Sequence, residues 1–390
     1  MGSIARSWSQ LPRVVRIVIA LFVIVFAPII IKQIELITNF GLLTQINRAL
    51  IYVVLALGLN IVVGFAGLLD LGYAAFFAIG AYTFGLLTWP THEIGTPFFI
   101  ALWVCAAVAA VFGILIGTPT LRLRGDYLAI VTLAFGEIIP TAVRNMSNVT
   151  IRIGPWTLLD GFNMTNGSQG LVPLGKPDFG WFEQIFHLEP GTLRVGVDPT
   201  FWYFVIVMMA VLVLFVARRL EDSRLGRAWK AIREDETAAD FMGVDPIRTK
   251  LLAFALGASF SGLAGVVFAS MLGAIFPDLF RFQVSIFLLI IVVLSGMGNV
   301  LGVLIGGLII SLFDGVFLAQ VLPPLFPDVD VQQLRWVFFG IGLLLIMVFR
   351  PQGLFPVGQG KRRPAFLDIK REPEQLSAEA DAGIKMKGAG

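Results

Sequence analysis

Three carboxylates, Asp70, Glu137 and Asp314, stand inside long uncharged stretches of this sequence. In lipid each costs several kcal/mol unless it is paired or faces a wet cavity, so functional use is the first expectation. Proton relay, binding of a substrate ammonium and capping of a broken backbone all fit a carboxylate so placed. The capping role suits Asp70, which precedes Gly72 at an expected helix break, and Glu137, one turn before Pro140.

Other chemistries lack their residues. A hydrolase needs a nucleophile with a base beside it, and the two histidines, His92 and His187, fall in expected outer loops without a surrounding motif. Cys105 is the single cysteine, so no intrachain disulfide forms and no metal-ligand set exists with the two distant histidines. No Gly-x-x-x-x-Gly-Lys-Ser/Thr phosphate loop occurs. The chain is therefore read as a non-enzyme without a cofactor of its own; if ATP drives it, another subunit binds the nucleotide.

The elements that hold these carboxylates follow from composition. Of 390 residues, 57% are hydrophobic and 14% charged, against about 45–50% and about 25% in soluble domains. Such a surplus must face lipid, which excludes a soluble globular enzyme. The net charge is +3, but the basic residues border apolar segments instead of forming a patch, which speaks against nucleic-acid binding.

Apolar runs cover Val14 to Ile31, Phe98 to Gly117, Leu128 to Val143, Phe201 to Ala217, Leu251 to Ala274 and Trp336 to Phe349. Two longer stretches need two passes each. The 43 residues between Arg48 and His92 would measure about 64 Å as helix, roughly twice the hydrocarbon thickness, with a turn expected at Gly64, Ala66 and Gly67. The 41 residues Phe282 to Leu322 would measure about 62 Å, broken near Gly296, Gly298 and Asn299. The expected fold is all-α and polytopic, with eight to ten transmembrane helices and broken or re-entrant segments.

Lys and Arg alternate as this count requires, given a cytoplasmic N-terminus. Arg122 and Arg124, the eight basic residues of Arg218 to Lys250, and Lys361, Arg362 and Arg363 all fall inside. The expected organisation is a cytoplasmic N-terminus over 1–13 and a membrane domain over 14–350. Within it lie an outer segment, 144–200, and a cytoplasmic loop, 218–250. A disordered cytoplasmic tail follows over 351–390. Gly154, Pro155, Trp156, Asn166, Gly167 and Pro173 give the outer segment the composition of ordered turns, suited to capping a pathway or meeting a partner. An internal echo links Ala56-Leu57-Gly58 with Gly64, Ala66 and Gly67 to Ala255-Leu256-Gly257 with Gly262, Ala264 and Gly265, one residue shorter in the second gap.

In the cytoplasmic loop Leu225, Trp229, Ile232, Ala239 and Met242 recur at helical spacing beside mixed charges, and Gly243 then Pro246 end the pattern. A lone helix of this length is marginal in water and gains most in a groove on another protein.

From Gly226-Arg227-Ala228 through Glu234, Glu236, Ala239 and Met242-Gly243 this segment resembles the coupling loop of permeases from binding-protein-dependent ABC importers. Gly58-Leu59-Asn60, then Gly64 to Asp70-Leu71-Gly72-Tyr73 and on to Tyr82, resembles branched-chain amino acid permeases of the LivM type. So do Leu121 to Leu133 and Phe349-Arg350-Pro351-Gln352-Gly353-Leu354. The resemblance covers roughly residues 45–356.

It implies one of two transmembrane subunits in the bacterial inner membrane, with both termini cytoplasmic. The implied partners are a related LivH-like permease, two cytoplasmic ATPase subunits and a periplasmic amino-acid-binding protein. ATPase closure would push a coupling helix over Arg224 to Gly243, with Arg224, Gly226, Arg227, Glu234, Glu236, Ala239 and Gly243 carrying the contact. Leucine, isoleucine or valine would then pass along a route to which Asn60, Tyr73 and Thr132 add polar contacts beside Asp70, Glu137 and Asp314. Close relatives import urea, short amides or other amino acids. A stand-alone ion-coupled transporter using the three carboxylates is the reading from a different class.

Overall fold

The computed structural model describes residues 13–38, 40–92, 94, 96–121, 123, 126–153, 156–177, 199–325, 331–350 and 352–355. The expected N-terminal segment, Arg122 and Arg124, His187 and the tail beyond residue 355 lie outside them.

Among the described residues ten apolar helices account for the ten apolar segments. They are α1 (Arg13–Thr38), α2 (Leu42–Leu59), α3 (Tyr73–Thr88), α4 (Phe98–Thr120), α5 (Asp126–Asn145), α6 (Pro199–Glu221), α9 (Pro246–Leu272), α10 (Phe282–Ser295), α11 (Val300–Leu312) and α12 (Val331–Phe349). Two short helices, α7 (Arg224–Glu234) and α8 (Glu236–Phe241), form the basic loop between α6 and α9. Among the described residues seven helical segments are long and apolar enough to cross a membrane, and α3 and the Leu334–Phe349 part of α12 are shorter apolar helices. The protein is thus a polytopic all-α membrane protein whose spans are partly broken. A small antiparallel hairpin, β1 (Val149–Ile153) with β2 (Trp156–Phe162), lies in the connection between α5 and α6.

The helix ends follow local chemistry. Asp245 caps α9 by accepting from the Arg248 amide at 3.1 Å, Pro246 opens its first turn, and Gly273 closes it at φ 69°. This 27-residue helix is packed against α2, α3 and α4. Small residues make that packing close: a Cβ on Gly80 would stand 2.4 Å from the Gly262 Cα, and one on Gly58 only 3.1 Å from the Gly257 oxygen. The two echoing segments therefore face each other across α2 and α9. At the far end of α9, Leu171 and Ile275 exchange both backbone hydrogen bonds, at 3.0 and 3.1 Å, tying down the connection between α5 and α6.

Both expected breaks occur. After Leu59, α2 widens into a π-helical turn, Asn60–Phe65, in which the Ala66 amide reaches back five residues to the Ile61 oxygen at 3.1 Å. The chain then runs irregularly to Tyr73. The second break lies between α10 and α11, where Gly296 and Gly298 take φ of 115° and 85°, values that an L side chain rarely adopts. Asn299 caps α11 by accepting from the Gly302 amide at 3.0 Å. The breaks meet directly, because the Gly298 amide donates to Asn60 Oδ1 at 2.9 Å. A second wide turn, Phe313–Val321, prolongs α11.

Candidate functional site

The basic loop is built by short-range capping. Ser223 Oγ accepts from the Gly226 amide at 3.2 Å and donates to the Leu220 oxygen at 2.7 Å, which starts α7. Gly226 is required by the tight passage from α6, since a Cβ there would lie 2.2 Å from the Leu220 oxygen. Asp235 ends α7 and caps α8, accepting from the Ala238 amide at 3.0 Å. The continuous helix expected from Arg224 to Gly243 is therefore two helices joined at a capping aspartate.

The direction of the apolar stripe also differs from expectation. Trp229 is fully buried in this chain's own bundle, its Nε1 donating to the Thr249 oxygen at 2.7 Å. Its ring stacks on Phe65, with centroids 6.3 Å apart and planes within 11°. Ile232 and Ala239 are buried too, and Leu225 packs on the same core. The groove that receives this face of α7 is made by the π-helical turn and the start of α9, not by another protein. Met242 alone of the stripe remains exposed, at 84%, joined by Phe241 at 87%.

Charges complete the junction. Arg233 Nη1 donates to the Gly64 carbonyl oxygen, and a Cβ on Gly298 would stand 3.2 Å from the same nitrogen. One guanidinium thus touches the first helix break and abuts the second. Lys230 lies over Phe65 at 5.6 Å and pairs with Glu221 at 3.4 Å. Glu236 pairs with Lys250 at 2.7 Å, and Arg227 Nη1 donates to the Asp222 oxygen at 2.9 Å. Arg224, Glu234 and Gly243 are exposed around this frame. Arg233 and Phe65 were not singled out from sequence, and Trp229 was read only as part of a stripe facing another protein; an arginine one turn after that tryptophan on the same helix face was the available signal.

The six candidate pathway residues separate into three places. Asn60, Asp70, Tyr73 and Thr132 are buried around the irregular stretch that follows the π-helical turn. Asp70 Oδ1 accepts from the Gly72 amide at 2.9 Å, and Thr132 Oγ1 accepts from Leu71 N at 3.1 Å. Tyr73 donates to the Gly257 oxygen at 2.8 Å. Asp70 Oδ2 and Asn60 Nδ2 find no hydrogen-bond partner among the described residues. Asp70 and Thr132 line a crevice too narrow to admit a water molecule. Asn60, Asp70 and Thr132 bond the broken backbone, whereas Tyr73 ties the start of α3 to the unbroken α9.

Asp314 lies elsewhere, in the wide turn after α11, with Oδ2 accepting from Arg335 Nη2 at 2.6 Å. Arg335 also lies over the rings of Phe287 and Trp336, at 5.6 and 5.4 Å. Pairing with Arg335 on α12 is how this carboxylate tolerates its apolar surroundings. Glu137 is exposed on α5, held by one long contact from the Phe282 amide at 3.4 Å. It lines a cavity of about 300 Å³ with Pro140, Thr141, Arg144, Arg281 and Gln283.

Comparison with known proteins matches residues 41–348 to the family described as branched-chain amino acid transport system, permease component. The chain is 40% identical over 326 residues to the high-affinity branched-chain amino acid transport system permease protein LivM of Escherichia coli K12, covering 79% of this chain and 68% of that protein. It is 27% identical over 311 residues to the permease protein BraD of Pseudomonas aeruginosa, covering 78% and 91%. Against the permease protein LivH of Escherichia coli K12 the identity is 24% over 312 residues, covering 78% and 90%. No solved structure matches. A family match through nearly the whole helical region, with 40% identity to one member, shows that this chain belongs to the branched-chain amino acid transport system permease family.

Proposed function

We propose that this chain is the transmembrane permease subunit of an ATP-driven importer of branched-chain amino acids. Leucine, isoleucine or valine would pass from a periplasmic binding protein to the cytoplasm. A related permease would complete the pathway, and two partner ATPase subunits would bind the nucleotide. The basic loop and both termini would lie in the cytoplasm, with the hairpin and the segment after it outside, in the bacterial inner membrane.

One observation carries the reading beyond family membership. The loop pairs an exposed apolar tip, Phe241 and Met242, with a helix fixed to both membrane breaks through Trp229 and Arg233. Covering two such side chains stabilises a contact by roughly 1.5–3 kcal/mol each, so the tip suits a partner's groove. A displacement of that partner would reach Gly64 through Arg233, the π-helical turn through the Trp229–Phe65 stack, and the second break through Asn60 and Gly298. Coupling requires the docked tip to differ in affinity between two states of the partner. Asp70, Asn60, Tyr73 and Thr132 serve this mechanism as the frame of the hinge, with Arg224, Arg227, Glu234 and Glu236 around the docking tip.

The test is leucine uptake into proteoliposomes holding this chain with its partner permease, ATPases and binding protein, each omitted in turn, with and without ATP. Uptake that needs ATP and every partner is expected. Uptake by this chain alone, collapsing with an ion gradient, would make it a secondary transporter, and ATP-driven uptake of urea or a short amide in place of leucine would change the substrate.

A further inference from the structure

The cavity beside Glu137 lies at the end of the bundle remote from α7 and α8. The start of α9 meets Trp229, whereas the residues after its far end lead through Pro277–Phe280 into α10 and the cavity wall. Its charged groups come from separate elements. Glu137 and Arg144 stand two turns apart on α5, Arg281 precedes α10, and Asp278 accepts from both arginines, with Arg281 contacts of 2.6 and 3.1 Å. Two carboxylates and two guanidinium groups sum to zero, so the cluster as a whole suits a ligand without net charge.

The distribution of that charge is specific. Each guanidinium carries five N–H donors, more than one shared carboxylate oxygen engages, so donors remain to bind an incoming carboxylate. Glu137 makes one long hydrogen bond and is exposed, which leaves it as an acceptor for an ammonium group. Two arginines alone would equally suit a lipid phosphate, but Glu137 in the same wall repels an anion and supplies the second recognition point. A volume of about 300 Å³ stands at the lower limit of small-molecule sites, the size suited to a single amino acid. Pro140 adds an apolar surface between the charged ends.

We propose that this cavity is a receiving site for a zwitterionic α-amino acid, with Glu137 binding the ammonium group and Arg144 and Arg281 the carboxylate. The inference rests on the importer reading and deepens it, by naming where substrate first meets this chain.

The experiment exploits Cys105, which is fully buried. In the reconstituted complex carrying Thr141→Cys, a charged thiol reagent should label the cavity wall. Leucine should slow labelling, whereas 4-methylpentanoate and 3-methylbutylamine, each keeping one of the two charges, should not. Adding Glu137→Gln should raise the leucine concentration for half-protection about tenfold, the loss of one charge-assisted hydrogen bond. No protection by leucine, or equal protection by the single-charge analogues, overturns the site. Wild-type vesicles assayed in parallel separate the two ideas. ATP- and partner-dependent uptake with no protection removes the cavity alone, whereas uptake without ATP or partners removes the importer reading and the receiving role with it.

Discussion

The two halves of one loop differ more than their sequence suggests. α7 sends Trp229 and Ile232 into its own bundle and reaches the Gly64 carbonyl with Arg233. α8, one capping aspartate away, buries only Ala239 and turns Phe241 and Met242 to the surface. An amphipathic pattern states that a face will be covered, without stating by what. Here the chain covers its own apolar face as far as Ala239 and leaves Phe241 and Met242 open; under the proposed function a partner's groove takes over there, and a fixed base joined to a free tip would transmit its push.

Substitutions should separate the halves. Trp229→Ala should have the largest effect, destabilising the permease by about 3–5 kcal/mol through a cavity against Phe65; thermal melting of the purified protein in detergent would show it. Phe241→Ala should leave that melting curve in place yet weaken ATPase attachment by about 2 kcal/mol, near thirtyfold, read by pull-down of the ATPases on the reconstituted permease. If the melting temperature falls instead, the tip belongs to the fold and the contrast fails. Arg233→Gln should keep ATPase attachment but lower leucine taken up per ATP hydrolysed about tenfold, matching about 1.5 kcal/mol for a hydrogen bond to a charged group. Ser223→Ala, which removes only the α7 cap, should cost about 1 kcal/mol of stability and leave that uptake ratio unchanged.

Much of this was legible from the chain. Uncharged length located all ten apolar helices, because lipid leaves few alternatives to a helix. Gly296, Gly298 and the glycines after Asn60 announced the breaks, since positive φ and close approach select for them. The split at Asp235 had a readable sign as well, an aspartate three residues before the amide it caps. Long-range pairing was not readable. Asp314 and Glu137 look alike as isolated carboxylates, yet Arg335, 21 residues on, neutralises the first, while the second opens into a cavity. Arg233 and Gly64 stand 169 residues apart; nothing local to either residue names the other.

The π-helical turn gives the internal echo an arithmetic meaning. Between the paired glycines the first copy holds five residues, Leu59 to Val63, and the second four, Ala258 to Ser261. The second runs as unbroken α-helix in α9, whereas the first contains the widened turn. A single added residue that is kept inside a helix, and not looped out, produces a turn of this kind. The length difference between two otherwise similar segments is thus stored as a bulge, and a carbonyl within that bulge, that of Gly64, is the one that Arg233 takes up.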